Sequence, residues 1–258
     1  MLENIEKWMV DRYMKRHHQV EDFTSKKKSI VGFSATYDED GLYTNHNCDF
    51  CNEEPFSEAY NVAMACDPNF YWHSRWRVYT ACWLAGLALR VEGDFVECGT
   101  NYGLTSRAII EHHYFKGLKD RAFYLVDTYK GIDEEQLEEG EEQNLEVLKK
   151  MYSECYERVV ENFKNYPNAQ VVRGVIPEVL PQVKTKKIAF LHIDLNCAKP
   201  EIDAGNYFWS KLSKGGVCLL DDYAYPRFEA QKRAWDKFAK EKDIEIYSSA
   251  TGQGIIFK

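Results

Sequence analysis

Three aspartates stand where two apolar runs end. Asp194 closes IAFLHID, and Asp221 with Asp222 closes GVCLLDD. Such runs read as buried parallel strands, and the carboxyl ends of parallel strands open onto one edge of an α/β sheet. Carboxylates gathered there repel one another, and a hard divalent cation resolves the repulsion; three carboxylates with waters suit Mg²⁺. The competing reading is that Asp221 or Asp222 caps the next helix or pairs with a nearby base. His192 alternates onto the face of Asp194. It reads either as a proton acceptor or as a buried, satisfied histidine.

The element that must position this chemistry is Val91 to Arg107, VEGDFVECGTNYGLTSR. Phe95, Val96 and Cys98 predict a strand, Gly99 a sharp turn, and Leu104, Ala108, Ile109 and Ile110 a helix. Strand, glycine turn and helix make a nucleotide site in an open sheet. The pattern is E-x-G-x-x-x-G, with Glu97, Gly99 and Gly103, and not the G-x-G-x-x-G of a dinucleotide site. A carboxylate at the strand end suits a cationic or hydroxylated ligand better than a pyrophosphate. The next strand, AFYLVD, ends in Asp127, where such folds hold ribose hydroxyls; a helix N-cap is the other reading. A third strand ends at Arg173-Gly174, and Val175 and Ile176 after it are placed to flank a base. The acidic stretch 132–143, GIDEEQLEEGEEQ without its first residue, reads as a lid or as a solvated face.

Strands are expected at 94–98, 122–127, 169–173, 188–195, 216–221, 243–249 and 254–257, and helices at 103–116, 143–165, 199–212 and 227–241. Their alternation predicts a parallel sheet with right-handed crossovers. Ala250 to Gln253 is too short for a crossover, so the last two strands form an antiparallel hairpin. The fold class is therefore α/β, with a seven-stranded, mostly parallel Rossmann-like sheet whose last strand is reversed. Residues 1–90 form a helical extension or cap and residues 91–258 the main domain. Residues 1–23 predict an amphipathic helix, a packing or dimer-forming arm or else a lid. Lys26 to Lys28 reads as a solvated loop, and Asp67-Pro68-Asn69 as a turn. Residues 38–56 read as loop; His46-x-Cys48-x-x-Cys51 within them lacks the second pair a zinc site wants. Residues 57–90 are helical, with Trp76, Tyr79, Ala81, Trp83 and Leu87 packing near the first strand. Arg75 and Arg77 meet either a ligand carboxylate or surface acids.

A chain of 258 residues, 45% hydrophobic and 29% charged, affords a large core. Its net charge of −8 argues against a nucleic-acid partner. No apolar run approaches the ~20 residues of a membrane span, and no secretory core follows the N-terminus. Eight cysteines, several inside apolar strands, indicate reduced thiols and a cytoplasmic setting.

The motif at Glu97, Gly99 and Gly103 resembles motif I of class I S-adenosylmethionine (SAM) methyltransferases, and so does the seven-stranded sheet. From about Phe56 to Lys258 the chain resembles the macrocin O-methyltransferase-like (TylF/MycF) group of Mg²⁺-dependent sugar O-methyltransferases. GDFVECGTNYG, YLVDTYKGID, RGVIPEVLP, LHIDLN and KLSKGGVCLLDDYAYP carry the likeness. The resemblance implies that Glu97, Gly99, Thr100, Asn101 and Gly103 line the methionine and ribose of SAM. It puts Asp127 and Thr128 at the ribose, Gly174, Val175 and Ile176 near adenine, and Mg²⁺ on Asp194, Asp221 and Asp222. Family members often read D-x-D at the end of the fourth strand; here Asn196 replaces the second acid, leaving Asp194 or His192 for proton transfer. Bacterial relatives in surface-polysaccharide gene sets, which also read HID-x-N, are nearer. The implied activity is methyl transfer from SAM to a hydroxyl of a sugar or sugar-containing metabolite, releasing S-adenosylhomocysteine, in a possible homodimer. Phenol, catechol or phosphoryl acceptors, a nicotinamide oxidoreductase and a non-catalytic SAM-binding relative are the alternatives.

Overall fold

Alternation along the strands sets the layers. Phe95 and Phe190 face one apolar cluster while Val96, Leu191 and Ile193 face another, because successive strand side chains point to opposite faces. The computed structural model describes residues 35–67 and 72–258. The N-terminal helix, the Lys26 to Lys28 run and Pro68-Asn69 lie outside them. The chain divides into two units, residues 1–38 with 43–48 and residues 39–42 with 49–258. In the first, His46 N donates to Thr44 Oγ1 at 3.1 Å and the Cys48 thiol to Thr36 O at 3.1 Å. Among the described residues no cluster of His, Cys, Asp or Glu is disposed to hold a metal. Residues 38–56, expected as loop, instead include strand segments at Tyr37–Glu39 and Leu42–Thr44 and a 3-10 turn at Asp49–Cys51.

The second unit holds the seven-stranded sheet. Its strands are β1 (Asp94–Cys98), β2 (Phe123–Asp127), β3 (Ala169–Arg173), β4 (Ile188–Ile193), β5 (Leu212–Leu220), β6 (Tyr247–Ser248) and β7 (Gly254–Phe257). Their order across the sheet is β3-β2-β1-β4-β5-β7-β6. Strands β1 to β5 pair in parallel, and β7 runs antiparallel to both β5 and β6. The expected reversal is present, and β7 is the strand that carries it. Central β4 is buried throughout, as a strand covered on both faces must be.

Helices α1 (Phe56–Met64), α2 (Arg75–Ala88), α3 (Leu104–His113) and α5 (Tyr156–Phe163) supply the first cluster. Helices α6 (Ala198–Trp209) and α7 (Glu229–Lys242) cover the other face. Helix α4 (Glu142–Met151) belongs to the connection after β2. On α2 the buried residues are Arg77, Val78, Ala81, Cys82, Leu84, Ala85 and Ala88. Trp83, expected near the core, is instead 54% exposed; the small residues of α2 take the inner face and let it lie close to the sheet. Six of the eight cysteines are buried, and burial pushes their thiols up, that of Cys155 to about 12.

Three boundaries depart from expectation. The single helix over 143–165 is two, because Tyr152 is extended and Cys155 N donates to Tyr129 O at 2.9 Å. Strand β5 begins earlier than expected, at Leu212, with a register irregularity beside Lys214-Gly215-Gly216. The stretch 243–249 contributes only Tyr247 and Ser248 as strand, because Asp243 is left-handed and Ile244 N closes α7 on Ala239 O at 3.0 Å.

A buried carboxyl locks α6 to α7. Glu201 accepts from Trp235 Nε1 at 2.7 Å and from Gln231 Nε2, and Leu195 N donates to it at 3.3 Å. Burial outweighs these donors and pushes it from 4.5 to about 8. The folded protein then holds this proton more tightly than the unfolded chain. Stability from this group is fully present below pH 4.5 and is lost as pH rises through about 8. Glu201→Gln is expected to flatten that slope in urea melts at a series of pH values, by on the order of a few kcal/mol across the window. An unchanged slope would assign the titration elsewhere.

Candidate active site

The parallel strands deliver their last residues to one edge. There β1 ends in Glu97-Cys98, β2 in Asp127, β4 is followed by Asp194 and β5 by Asp221-Asp222. Glu97 pairs in register with His192 of β4, so the two side chains share a face. His192 Nδ1 lies 2.8 Å from Glu97 Oε1, and its Nε2 lies 3.5 Å from Asp221 Oδ1. Ser106 of α3 donates to the other Glu97 oxygen. Burial opposes a charged ring at His192, but the hydrogen bonds and charges of Asp221 and Glu97 prevail and raise it to about 10. An imidazolium has no lone pair for a proton. His192 is fully buried, with Nδ1 held by Glu97 and Nε2 without a hydrogen-bond partner.

The turn after β1 is compact for two reasons. Gly99 has φ +89, and a Cβ on it would lie 1.7 Å from Asp194 O. Gly103 has φ +88, and a Cβ there would meet the Phe163 ring at 2.4 Å. Both glycines are thus required by backbone angle and by close approach. Asp127 ties this turn to the next one: Asn101 N donates to Oδ2 at 2.7 Å and Tyr129 N to Oδ1 at 2.7 Å. Thr128 Oγ1 also lies 3.3 Å from Oδ1, so the further acceptor position is on Oδ2. Thr128 Oγ1 donates to Gly131 O at 2.7 Å, and Gly174 N to Asp127 O at 2.9 Å. Val175 O accepts from Val179 N at 2.9 Å, and Ile176 is buried with its carbonyl held by Gln136. Thr100 is buried in the same turn. Glu141 also reaches in from the acidic stretch, accepting from Ala198 N at 2.8 Å.

Asp194, Asp221 and Asp222 do come together, and their compensation comes from donors of the chain. Arg77 Nη2 lies 2.8 Å from Asp222 Oδ1, donates to Asp221 O at 2.7 Å and also meets Asp221 Oδ2. Its Nη1 is 3.3 Å from Asp40 Oδ2. Gln253 Nε2 donates to Asp221 Oδ1 at 2.9 Å. Asn196 Nδ2 donates to Asp222 Oδ2 at 2.8 Å and to Asp194 Oδ1 at 3.2 Å. Arg77 holds Asp221 well below the usual carboxylate range against its burial. Asp194, lacking that cation, is pushed well up, first by burial and then by the charges of Asp221 and Asp222.

Of the two arginines left open by the sequence, Arg75 binds Glu39, and Arg77 meets acids that are buried rather than on the surface. Asp40, Tyr225, Gln253 and Tyr152 are site residues that sequence reasoning missed. Tyr225 sets its ring 5.0 Å from the Arg77 guanidinium and donates to Asp40 Oδ1 at 2.8 Å. Tyr152, at the break between α4 and α5, lies in the field of Asp194, Asp222, Asp221 and Asp127, which with burial raises its phenol. Asp40 had a signal: Asp-Gly between β-formers marks a two-residue hairpin turn, and Asp40 and Gly41 have φ 50 and 74.

Gly99→Ala is expected to lower stability by about 3 kcal/mol or more, from strain and overpacking combined. A fall in the urea midpoint at unchanged m reads this out; a loss under ~1 kcal/mol would deny the tight approach to Asp194.

Comparison with known proteins follows this geometry. The family model described as Macrocin-O-methyltransferase (TylF) matches residues 74–250. The 8-demethyl-8-(2,3-dimethoxy-alpha-L-rhamnosyl)-tetracenomycin-C 4'-O-methyltransferase of Streptomyces olivaceus is 28% identical over 148 residues, 54% of this chain and 56% of its own. Demethyldecarbamoylnovobiocin O-methyltransferase of Streptomyces niveus is 26% identical over 143 residues, 52% and 53% of the two chains. The chain thus spans about half the length of these curated relatives. Among solved structures, the O-methyltransferase NovP superposes with a TM-score of 0.63 at 22% identity, over 73% of this chain and 83% of that one. The calicheamicin methyltransferase CalS11 gives 0.56 at 14% identity, over 83% and 98%. At these identities the structural likeness shows the fold.

Proposed function

Because the chain belongs to the macrocin O-methyltransferase (TylF) family, we propose that it transfers a methyl group from SAM to a hydroxyl of a sugar or sugar-containing metabolite. The observation that carries this reading is the shared edge: a cradle for a ribosyl ligand at Gly99 and Asp127, beside buried acids at the ends of β4 and β5. A relative named for O-methylation of a rhamnosyl tetracenomycin supports the acceptor class.

The residues fit SAM. Asp127 Oδ2 keeps an acceptor position for a ribose hydroxyl next to the glycine turn. Gly99, Thr100, Asn101 and Gly103 line the turn, Thr128 steadies the loop beside it, and Gly174, Val175 and Ile176 border the adenine side. Glu97 holds the turn from below, through Ser106 and His192. Bound there, SAM supplies an electrophilic methyl group. Asp194 is the proton acceptor for the sugar hydroxyl: it follows β4 at the shared edge, and Asn196 orients it through Oδ1. His192, held by Glu97 at 2.8 Å, is a positioning residue. Fixing both reactants at one edge supplies most of the rate.

Mg²⁺ is another matter. The donors are hard oxygens of the right kind. Yet every oxygen of Asp221 and Asp222 already faces a donor of Arg77, Gln253 or Asn196, a cation among them, and no metal-holding group stands among the described residues. The residues as arranged do not fit the ion, and no step is routed through it.

Calorimetric titration with SAM, and with NAD as control, tests the class; a panel of sugar, phenol and catechol acceptors read by product mass tests the acceptor. Silence toward SAM would end the methyltransferase reading. Asp194→Asn is expected to lower kcat by roughly 10²- to 10⁴-fold while SAM affinity stays within a few-fold. Retained turnover would move the proton elsewhere.

A further inference from the structure

The acid cluster contains its own cation. Arg77 leaves α2 at the first turn, is only 8% exposed, and sets one guanidinium nitrogen against both Asp221 and Asp222. The other nitrogen faces Asp40. The Tyr225 ring lies 5.0 Å from the guanidinium, and Tyr225 and Trp72 both donate to Asp40, at 2.8 and 2.9 Å. The group is thus held from α2, from the turn at residues 39–42 and from the loop after β5. A second observation points the same way: position 196, where the resembled family often carries an acid, is an amide that donates to Asp194 and Asp222. The guanidinium brings a positive charge to the acids, and the amide at 196 brings no negative one. Both reduce what a divalent cation would neutralise.

We propose that Arg77 is the resident cation of this site, supplying the positive charge that the family resemblance assigns to Mg²⁺, so that the chain orders Asp221 and Asp222 without a metal. This rests on the methyltransferase reading only for its catalytic consequence; the charge arrangement stands by itself. A guanidinium cannot exchange and has a fixed fork of donors. The acceptor oxygen is then placed by donors of the protein, and its proton goes to Asp194.

The test is Mg²⁺ titrated into the purified full chain, followed by calorimetry and by thermal midpoint, with SAM titrated into the same samples. Wild type is expected to show no Mg²⁺ heat and no shift up to millimolar metal. Arg77→Gln, which frees two carboxylates, is expected to bind Mg²⁺ at least roughly tenfold more tightly than wild type. Arg77→Lys, keeping the charge, is expected to stay silent; a purely structural role for Arg77 would not separate Gln from Lys. If Arg77→Gln does not fold, the wild-type titration decides alone. Mg²⁺ binding by wild type below millimolar, or an Arg77→Gln protein that binds no better than wild type, overturns the proposal. Tight Mg²⁺ with intact SAM binding defeats only Arg77; absent SAM binding with silent Mg²⁺ defeats only the methyltransferase reading. With an acceptor in hand, wild-type turnover is expected to survive a chelator within about twofold, and its loss with recovery on Mg²⁺ would refute the proposal.

Discussion

Burying several carboxylates at one sheet edge is the constraint the rest of the site answers. Asp194, Asp221 and Asp222 come from two strand ends, and Asp40 joins them from a hairpin turn. Left alone, such charges would cost several kcal/mol each to remove from water. The guanidinium of Arg77 makes the arrangement possible, and it fixes α2 in doing so. That helix cannot slide along the sheet without withdrawing its cation from the end of β5. The small inner face of α2, with Ala81, Ala85 and Ala88 buried, lets the helix lie close enough for the side chain to reach.

A second pair couples the two halves of the edge. Glu97 belongs to the cofactor side and Asp221 to the acid cluster, and His192 stands between them with one ring nitrogen toward each. Neither acid is then isolated in the core, and the turn at Gly99 is tied to β4 by side chains as well as by backbone. Parallel register places Glu97 directly beside His192. A slip of one residue would put the two on opposite faces and take the imidazole from Glu97.

The parallel sheet and the reversed final strand were legible because alternation of apolar runs and helices leaves few topologies open. The strand-end acids were legible as a group for the same reason. What compensates them was not. Arg77 precedes Asp221 by 144 residues, and nothing local to either marks the pairing. Asp40 lay inside a stretch read as loop, although its Asp-Gly dipeptide carried a hairpin signal. The break at Tyr152 was invisible because it arises from a tertiary bond, Cys155 N to Tyr129 O, and not from a helix-breaking residue. Trp83 illustrates the converse error: a large aromatic on a helix invites burial, but the inner face of α2 is filled by its neighbours Cys82, Leu84 and Ala85.

Backbone strain gathers at the same edge. Asn101, Tyr129 and Asn196, with φ of 47, 56 and 55, follow the ends of β1, β2 and β4. Asparagine tolerates the left-handed region, but for tyrosine it is costly, on the order of 1–3 kcal/mol. Asp127 meets this cost twice over, since its two oxygens receive the N–H groups of Asn101 and Tyr129. Asn196 is held by its own amide on Asp194 and Asp222. The carboxylates at the strand ends therefore shape the turns as well as facing a ligand. Asp127 in particular cannot be read from its ribose role alone: without it, the two turns that form the cofactor cradle lose the acceptor that holds them in a conformation their residues otherwise avoid.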